Sequence, residues 1–366
     1  MKLEGGRIPS SQLTILAIGF LLGSSIILGP GGAAENNAWL AVLFGLGEGL
    51  VFLSIYVQLQ KNYPHKTLIE MNDIIYGPYL GKLFSICYII FFLHTASLVV
   101  RSFGAFFGII LVSTPLSLLL ISILLVCAYA VRNGIEVIAR CSLLLVVLMI
   151  IVTIFNTALV AINMEPSNLL PFMDIPIQEF FKASHSISTL PFGQTIVFLM
   201  IVAFLNQQQE AGPSLLKTFL IFGLFFLIIA LRNPMVMGPQ IYLATYPSFA
   251  VVRSINIADI LTRLDILIGV SFLGAGFLKI TVLYYGAVLG IAQILNMRSY
   301  LPLVLPIGAL ILGVSLLQYD AYIYDINDAL KYYPYYSLPF EFFLPLITLV
   351  AAKIRTYLQA SPGGKV

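Results

Sequence analysis

The chain predicts an all-α polytopic membrane protein, and three observations carry that prediction. Of its 366 residues, 60% are hydrophobic and only 10% are charged, against about 25% charged in an ordinary soluble domain. That leaves too little polar surface to clothe a water-soluble globule. Apolar runs of roughly 20 residues recur from one end to the other, each long enough to cross a hydrocarbon core as a helix. The basic residues are shared unevenly between alternate connections, as membrane topology demands.

Ten spans are expected, at 11–33, 38–59, 80–111, 115–132, 141–163, 187–205, 214–232, 263–294, 300–317 and 337–354. The first follows MKLEGGRIPSSQ and is too long and glycine-rich for a signal peptide's apolar core, so it is expected to be retained. The third and eighth, at 32 residues each, would be about 48 Å long and must tilt or project from a core of roughly 30 Å. With the N-terminus inside, the inner segments hold Lys2, Arg7, Lys61, Lys66, Lys82, Arg132, Arg140, Lys217, Arg298, Lys353, Arg355 and Lys365. The outer segments hold only Lys182, Arg232, Arg253, Arg263 and Lys331, so both termini are expected on the cytoplasmic side.

The connections are less uniform than the spans. Segment 60–79 is expected to carry a short amphipathic helix along the membrane surface. Segment 164–186 is acidic, with Glu165, Asp174 and Glu179, and segment 233–262 is expected to cap the outer face. Segment 318–336 alternates tyrosine with Asp320, Asp325 and Asp328, the pattern of an interfacial aromatic belt. Cys87, Cys127 and Cys141 stand at unrelated spacings and read as packing residues. No HExxH, GxSxG, Walker A or paired metal-ligand spacing occurs, so neither an enzyme nor a cofactor is expected. A nucleic-acid partner is not expected either.

Two spans break the helical rules. GFLLGSSIILGPGG, residues 19–32, holds five glycines and a proline within an apolar run. A glycine costs a helix interior about 1 kcal/mol and a proline about 3 relative to alanine. Freed backbone groups survive in hydrocarbon only where they line a cavity or meet protein. One reading is an interruption near Gly23, Ser24 and Ser25, with amides turned toward an anion. The other is that the glycines simply admit close helix packing. The sixth span, HSISTLPFGQTIVFLMIVAFLN, places Pro191 and Gly193 inside its apolar period. Two interrupted helices five spans apart favour an inverted-repeat transporter site, with repeats at about 11–163 and 187–317 and a tenth helix at 337–354.

GSSIILGPG, YPHKTLIEMNDIIYGPYLGK, VVRSFG, PFGQTIVFLMIVAFLN and YPSFAVVRSINIADILTRLDIL, in that order, resemble the spore germination permease family. These are the B subunits of endospore germinant receptors, within the amino acid–polyamine–organocation superfamily. The resemblance implies a LeuT-like five-plus-five fold with interrupted first and sixth helices. It further implies a pocket between the first, third, sixth and eighth helices. Gly23, Ser24, Ser25 and Ile26 would hold a ligand carboxylate. Carbonyls near Leu190, Pro191, Phe192 and Gly193 would face an ammonium, and His94, Ser97 and Tyr284 would form the walls. Relatives often carry an acid where this chain has Gln194.

Three charges fall at membrane depth, where each is expensive. Lys279 is expected either to substitute for a coupling ion, tying the eighth helix to carbonyls near Gly23, or to pair with a neighbouring carboxylate. Glu48, among Gly45, Gly47 and Gly49, carries a proton, pairs with Lys279, or is merely structural. Arg101 snorkels to the interface or gates the outer vestibule. His94 is either hydrogen-bonded packing or a ligand contact. Two functions remain: a sensor that binds an amino acid germinant and signals to A- and C-type receptor subunits, and a proton-coupled amino acid permease. A passage for water or small ions is a weaker third.

Overall fold

The computed structural model describes residues 3–29, 32–254, 265–318 and 331–360. Helical segments overlap each expected span. Among the described residues, six helices are long and apolar enough to cross a membrane.

Helix α1, Ser10–Leu28, is buried around its circumference by Leu13, Leu16, Ala17, Phe20 and Leu21. A helix apolar on all sides belongs at a bundle's centre, and α1 packs there against α5 (Ile135–Val160), α7 (Ala211–Met237) and α9 (Asp265–Ile294). Helix α2, Ala38–Asn62, packs on α7 and α6 (Ile177–Ile187), while α3, Leu68–Ile110, packs along α9. Helices α4 (Leu116–Arg132) and α10 (Leu301–Leu317) complete that side. Leu125, Leu144, Ile154 and Leu305 lie exposed on α4, α5 and α10. In water that many bare apolar side chains would aggregate; in a bilayer they are the lipid-facing surface.

The expected interruption of the first span is not found. The backbone stays α-helical through Gly23, Ser24, Ser25 and Ile26 and ends only at Gly29, whose φ of 52° caps it in the left-handed region. Of Ser24 and Ile26 the structure describes the backbone alone. The glycines instead admit neighbours: a Cβ at Gly19 would stand 2.8 Å from Val146, and one at Gly23 would stand 2.7 Å from Cβ of Lys279. Close packing is the reading that holds for this helix.

The sixth span departs from α geometry where expected. After α6 the backbone takes a π turn over Ser188–Phe192 and 3-10 turns over Gly193–Met200 and Val202–Phe204. Pro191 has no N–H to give, and its ring crowds the carbonyl four residues back, so the ladder must change register there. At the far end, Ile8 donates to the carbonyl of Phe204 at 3.1 Å and accepts from the amide of Asn206 at 3.0 Å. This strap ties the N-terminal segment to the end of the sixth span.

Helix α3 begins earlier than the expected third span, on a capping box between Thr67 and Glu70. It bends at Gly77, where φ is 81° and only glycine is unstrained, with Pro78 next. The stretch of about two and a half turns before that bend, residues 68–76, corresponds to the amphipathic helix expected in segment 60–79. Short helix α8, Pro247–Arg253, lies over the end of α1 with Pro247 3.1 Å from the Gly29 position, as expected of a cap. Residues 255–262 of that segment, and Asp320, Asp325 and Asp328, lie outside the described residues. The last span is α11 (Tyr333–Leu338), a π turn at Pro339–Phe343, and α12 (Leu344–Ala360).

Candidate ligand site among the first, sixth, eighth and tenth spans

Lys279 is fully buried on α9. Its stem lies across Gly23 of α1, so the glycine is what lets a lysine cross there. The ammonium stands 5.1 Å from the ring centroid of Phe20, a cation–π geometry that partly replaces lost hydration. The expected juxtaposition of Lys279 with Gly23 is therefore present, on an unbroken α1.

The carboxylate in its field is Glu341, also fully buried, in the π turn of the last span. Tyr333 donates to Glu341 Oε1 at 3.0 Å and Ser337 to Oε2 at 3.2 Å. The carboxylate presses against the sixth span at Gly193, where a Cβ would come within 2.6 Å of its Cδ. Tyr56 of α2 reaches the carbonyls of both Gly193, at 3.1 Å, and Glu341. Gly193 is thus both bend and gap, and the last span closes on it. A carboxyl group at this depth is expensive unless its oxygens are hydrogen-bonded, and both oxygens of Glu341 are.

Glu341 is the residue that sequence reasoning missed. It sits in SLPFEFFLP, four residues inside the tenth expected span, and was readable as a rim charge; a carboxylate between two phenylalanines and two prolines was the available signal. Gln194, Thr95 and Tyr333 join it, with the Tyr333 hydroxyl placed among all three.

Other expected assignments divide. Leu190, Pro191 and Phe192 are buried at the bend, but Phe192 turns its ring onto Phe219 and Phe222 of α7, at 4.9 and 5.5 Å. Ser25 and Ser97 are buried, and each hydroxyl donates to its own helix, at Leu21 and Leu93. Tyr284 is not a pocket wall: its hydroxyl donates to the carbonyl of Val304 and lies against Gly308, both on α10. Its position on α9 faces the scaffold because the helix phase there was not legible. His94 contacts Gln318 at 3.1 Å and the edge of Tyr336, so it belongs to a polar contact in the middle of α3. Glu48 does not pair with Lys279. It meets His185 of α6 at 2.7 Å, an ion pair half-open to the surface. Arg101 does not reach out to the interface: it is buried at 6% exposure.

The fold is that of a transporter-like helical membrane protein. The structure of MHP1, a nucleobase–cation-symport-1 family transporter in a closed conformation with bromovinylhydantoin bound, superposes with a TM-score of 0.68, covering 98% of this chain and 94% of that one at 10% identity. MhsT in complex with L-phenylalanine gives 0.63, covering 98% and 99% at 13% identity. These are LeuT-fold proteins, and at such identities the likeness is one of fold. The family model described as "Spore germination protein" matches residues 7–323. Spore germination protein KB of Bacillus subtilis (strain 168) is 30% identical over 359 residues, covering 96% of this chain and 95% of its own length. Spore germination protein YndE of the same organism is 25% identical over 365 residues, covering 95% and 97%. The chain belongs to the spore germination permease family.

Proposed function

We propose that the chain is the nutrient-germinant sensing subunit of a receptor in the spore inner membrane. It binds an amino acid or similar small molecule between α1 and the bend of the sixth span. The observation that carries this reading is the burial of two ionisable side chains of opposite kind against two glycines, Lys279 across Gly23 and Glu341 against Gly193. Such a pair is weak evidence for stability and better evidence for a site that meets charge. Ten spans, with both termini on the cytoplasmic side, put the Ile8–Leu205 strap on the inner face. Repeats at 11–163 and 187–317 then move against each other around the site.

A ligand shifts such an equilibrium only by its difference in affinity between the two states. Partner subunits of the A and C types must therefore touch something that moves, and the sixth span, irregular over Ser188–Phe204, is the readiest element. The rival reading is a proton-coupled amino acid permease, favoured by the Glu48–His185 pair as a titratable couple. Purified protein in proteoliposomes separates the two. Binding of an amino acid with little concentrative uptake, and copurification with other receptor subunits, supports the sensor. Vigorous proton-driven accumulation supports the permease.

A further inference from the structure

α1 is unbroken through residues 23–26, so its amides there are engaged in helix and are not free to hold a ligand carboxylate. A different donor is needed, and the cation lying across Gly23 is Lys279. The opposite end of the site shows the complementary need. Gln194 is 2% exposed, yet its Oε1 has no hydrogen-bond partner. A buried amide oxygen without a donor bears its whole desolvation cost. The Gln194 side chain is joined to the Tyr333 hydroxyl, which itself donates to Glu341. A group with several N–H donors and a positive charge would answer the Gln194 oxygen and the Glu341 carboxylate together. That is a primary ammonium.

We propose that Glu341 and Gln194 hold the ammonium of an α-amino acid, and that Lys279 holds its carboxylate. The bound zwitterion then stands between the internal charges, replacing one attraction with two. This assignment rests on the amino acid pocket proposed above and gives each end of the ligand its partner. It also sets selectivity: a ligand lacking either charge leaves one buried group uncompensated, so both are required.

The test uses purified full-length protein in lipid nanodiscs, with each of the twenty standard amino acids as probe. The tightest binder is then compared with its deaminated acid and its decarboxylated amine. Both analogues bind wild type at least tenfold more weakly than the amino acid. Glu341→Gln weakens the amino acid at least tenfold but leaves the deaminated acid within threefold. Lys279→Met does the reverse, sparing the amine. A folded Glu341→Gln protein that binds the amino acid within threefold of wild type overturns the assignment. Should that variant not fold, carbodiimide labelling of Glu341 in wild type, read by peptide mass spectrometry, replaces it. The amino acid slows labelling at least threefold; an unchanged rate overturns the assignment. If none of the twenty binds wild type, the pocket reading itself fails and takes this assignment with it.

Discussion

Gly193→Ala is a one-atom perturbation whose cost follows from what that atom would meet. A Cβ at this position would stand 2.6 Å from Cδ and 3.2 Å from Cβ of Glu341, where ordinary contact begins near 3.4 Å. The carboxyl carbon must therefore withdraw by about 0.8 Å. It is not free to do so, because Tyr333 and Ser337 hold its two oxygens at 3.0 and 3.2 Å. Overpacking a filled interior costs about 1–3 kcal/mol. Losing one hydrogen bond to a charged group adds about 1.5–3 kcal/mol. Against these stands a gain of up to about 1 kcal/mol from alanine's better helix propensity. The net expectation is a loss of about 1.5–5 kcal/mol. Gly47→Ala is the control, since nothing lies within 4 Å of a Cβ there and only the propensity gain applies. Thermal melting of the detergent-purified variants should rank Gly47→Ala at or above wild type and Gly193→Ala several degrees below. Gly193→Ala should cost less in a Glu341→Ser background than in wild type, because contacting residues are not additive. Equal melting of the two glycine variants, or the same cost of Gly193→Ala in both backgrounds, would refute the contact.

Three further outcomes follow from named contacts. Lys279→Met should cost about 3–5 kcal/mol by leaving Glu341 buried without its counter-charge, while Lys279→Met with Glu341→Leu should melt near wild type and bind no amino acid; a single variant as stable as wild type contradicts the pairing. Glu48→Gln should cost only about 1 kcal/mol, because the His185 pair is part-exposed, and His185→Gln should add little once Glu48 is gone; additive losses would mean the two act separately. Ile8→Pro removes the donor to Phe204 and should raise hydrogen exchange across residues 203–206 without lowering melting much, and unchanged exchange would deny the strap a role at that end.

The positions of the helices were legible because apolar runs in lipid admit few alternatives: backbone groups must be satisfied within the segment. The bend at Pro191 was legible for the same reason, since a missing N–H has no substitute in hydrocarbon. Glycine was the ambiguous signal. In GFLLGSSIILGPGG its helix penalty suggested a break, but Gly19 and Gly23 accept Val146 and Lys279, and that packing outweighs a penalty of about 1 kcal/mol each. Side-chain direction was not legible at all. Tyr284 and Lys279 lie five residues apart on α9 yet face α10 and α1, a difference that apolarity on every side conceals. Glu341 was missed because Gly193 and Lys279, which it faces, come from distant parts of the chain.

The decisive measurement is a ligand-bound structure of the protein in nanodiscs at a saturating concentration of the tightest-binding amino acid. Density for the zwitterion bounded by Gly23, Gly193, Lys279 and Glu341 is the predicted result. Density only elsewhere, such as in the cavity of about 510 Å³ lined by Arg7, His65 and Glu70 beside the strap, would contradict the account.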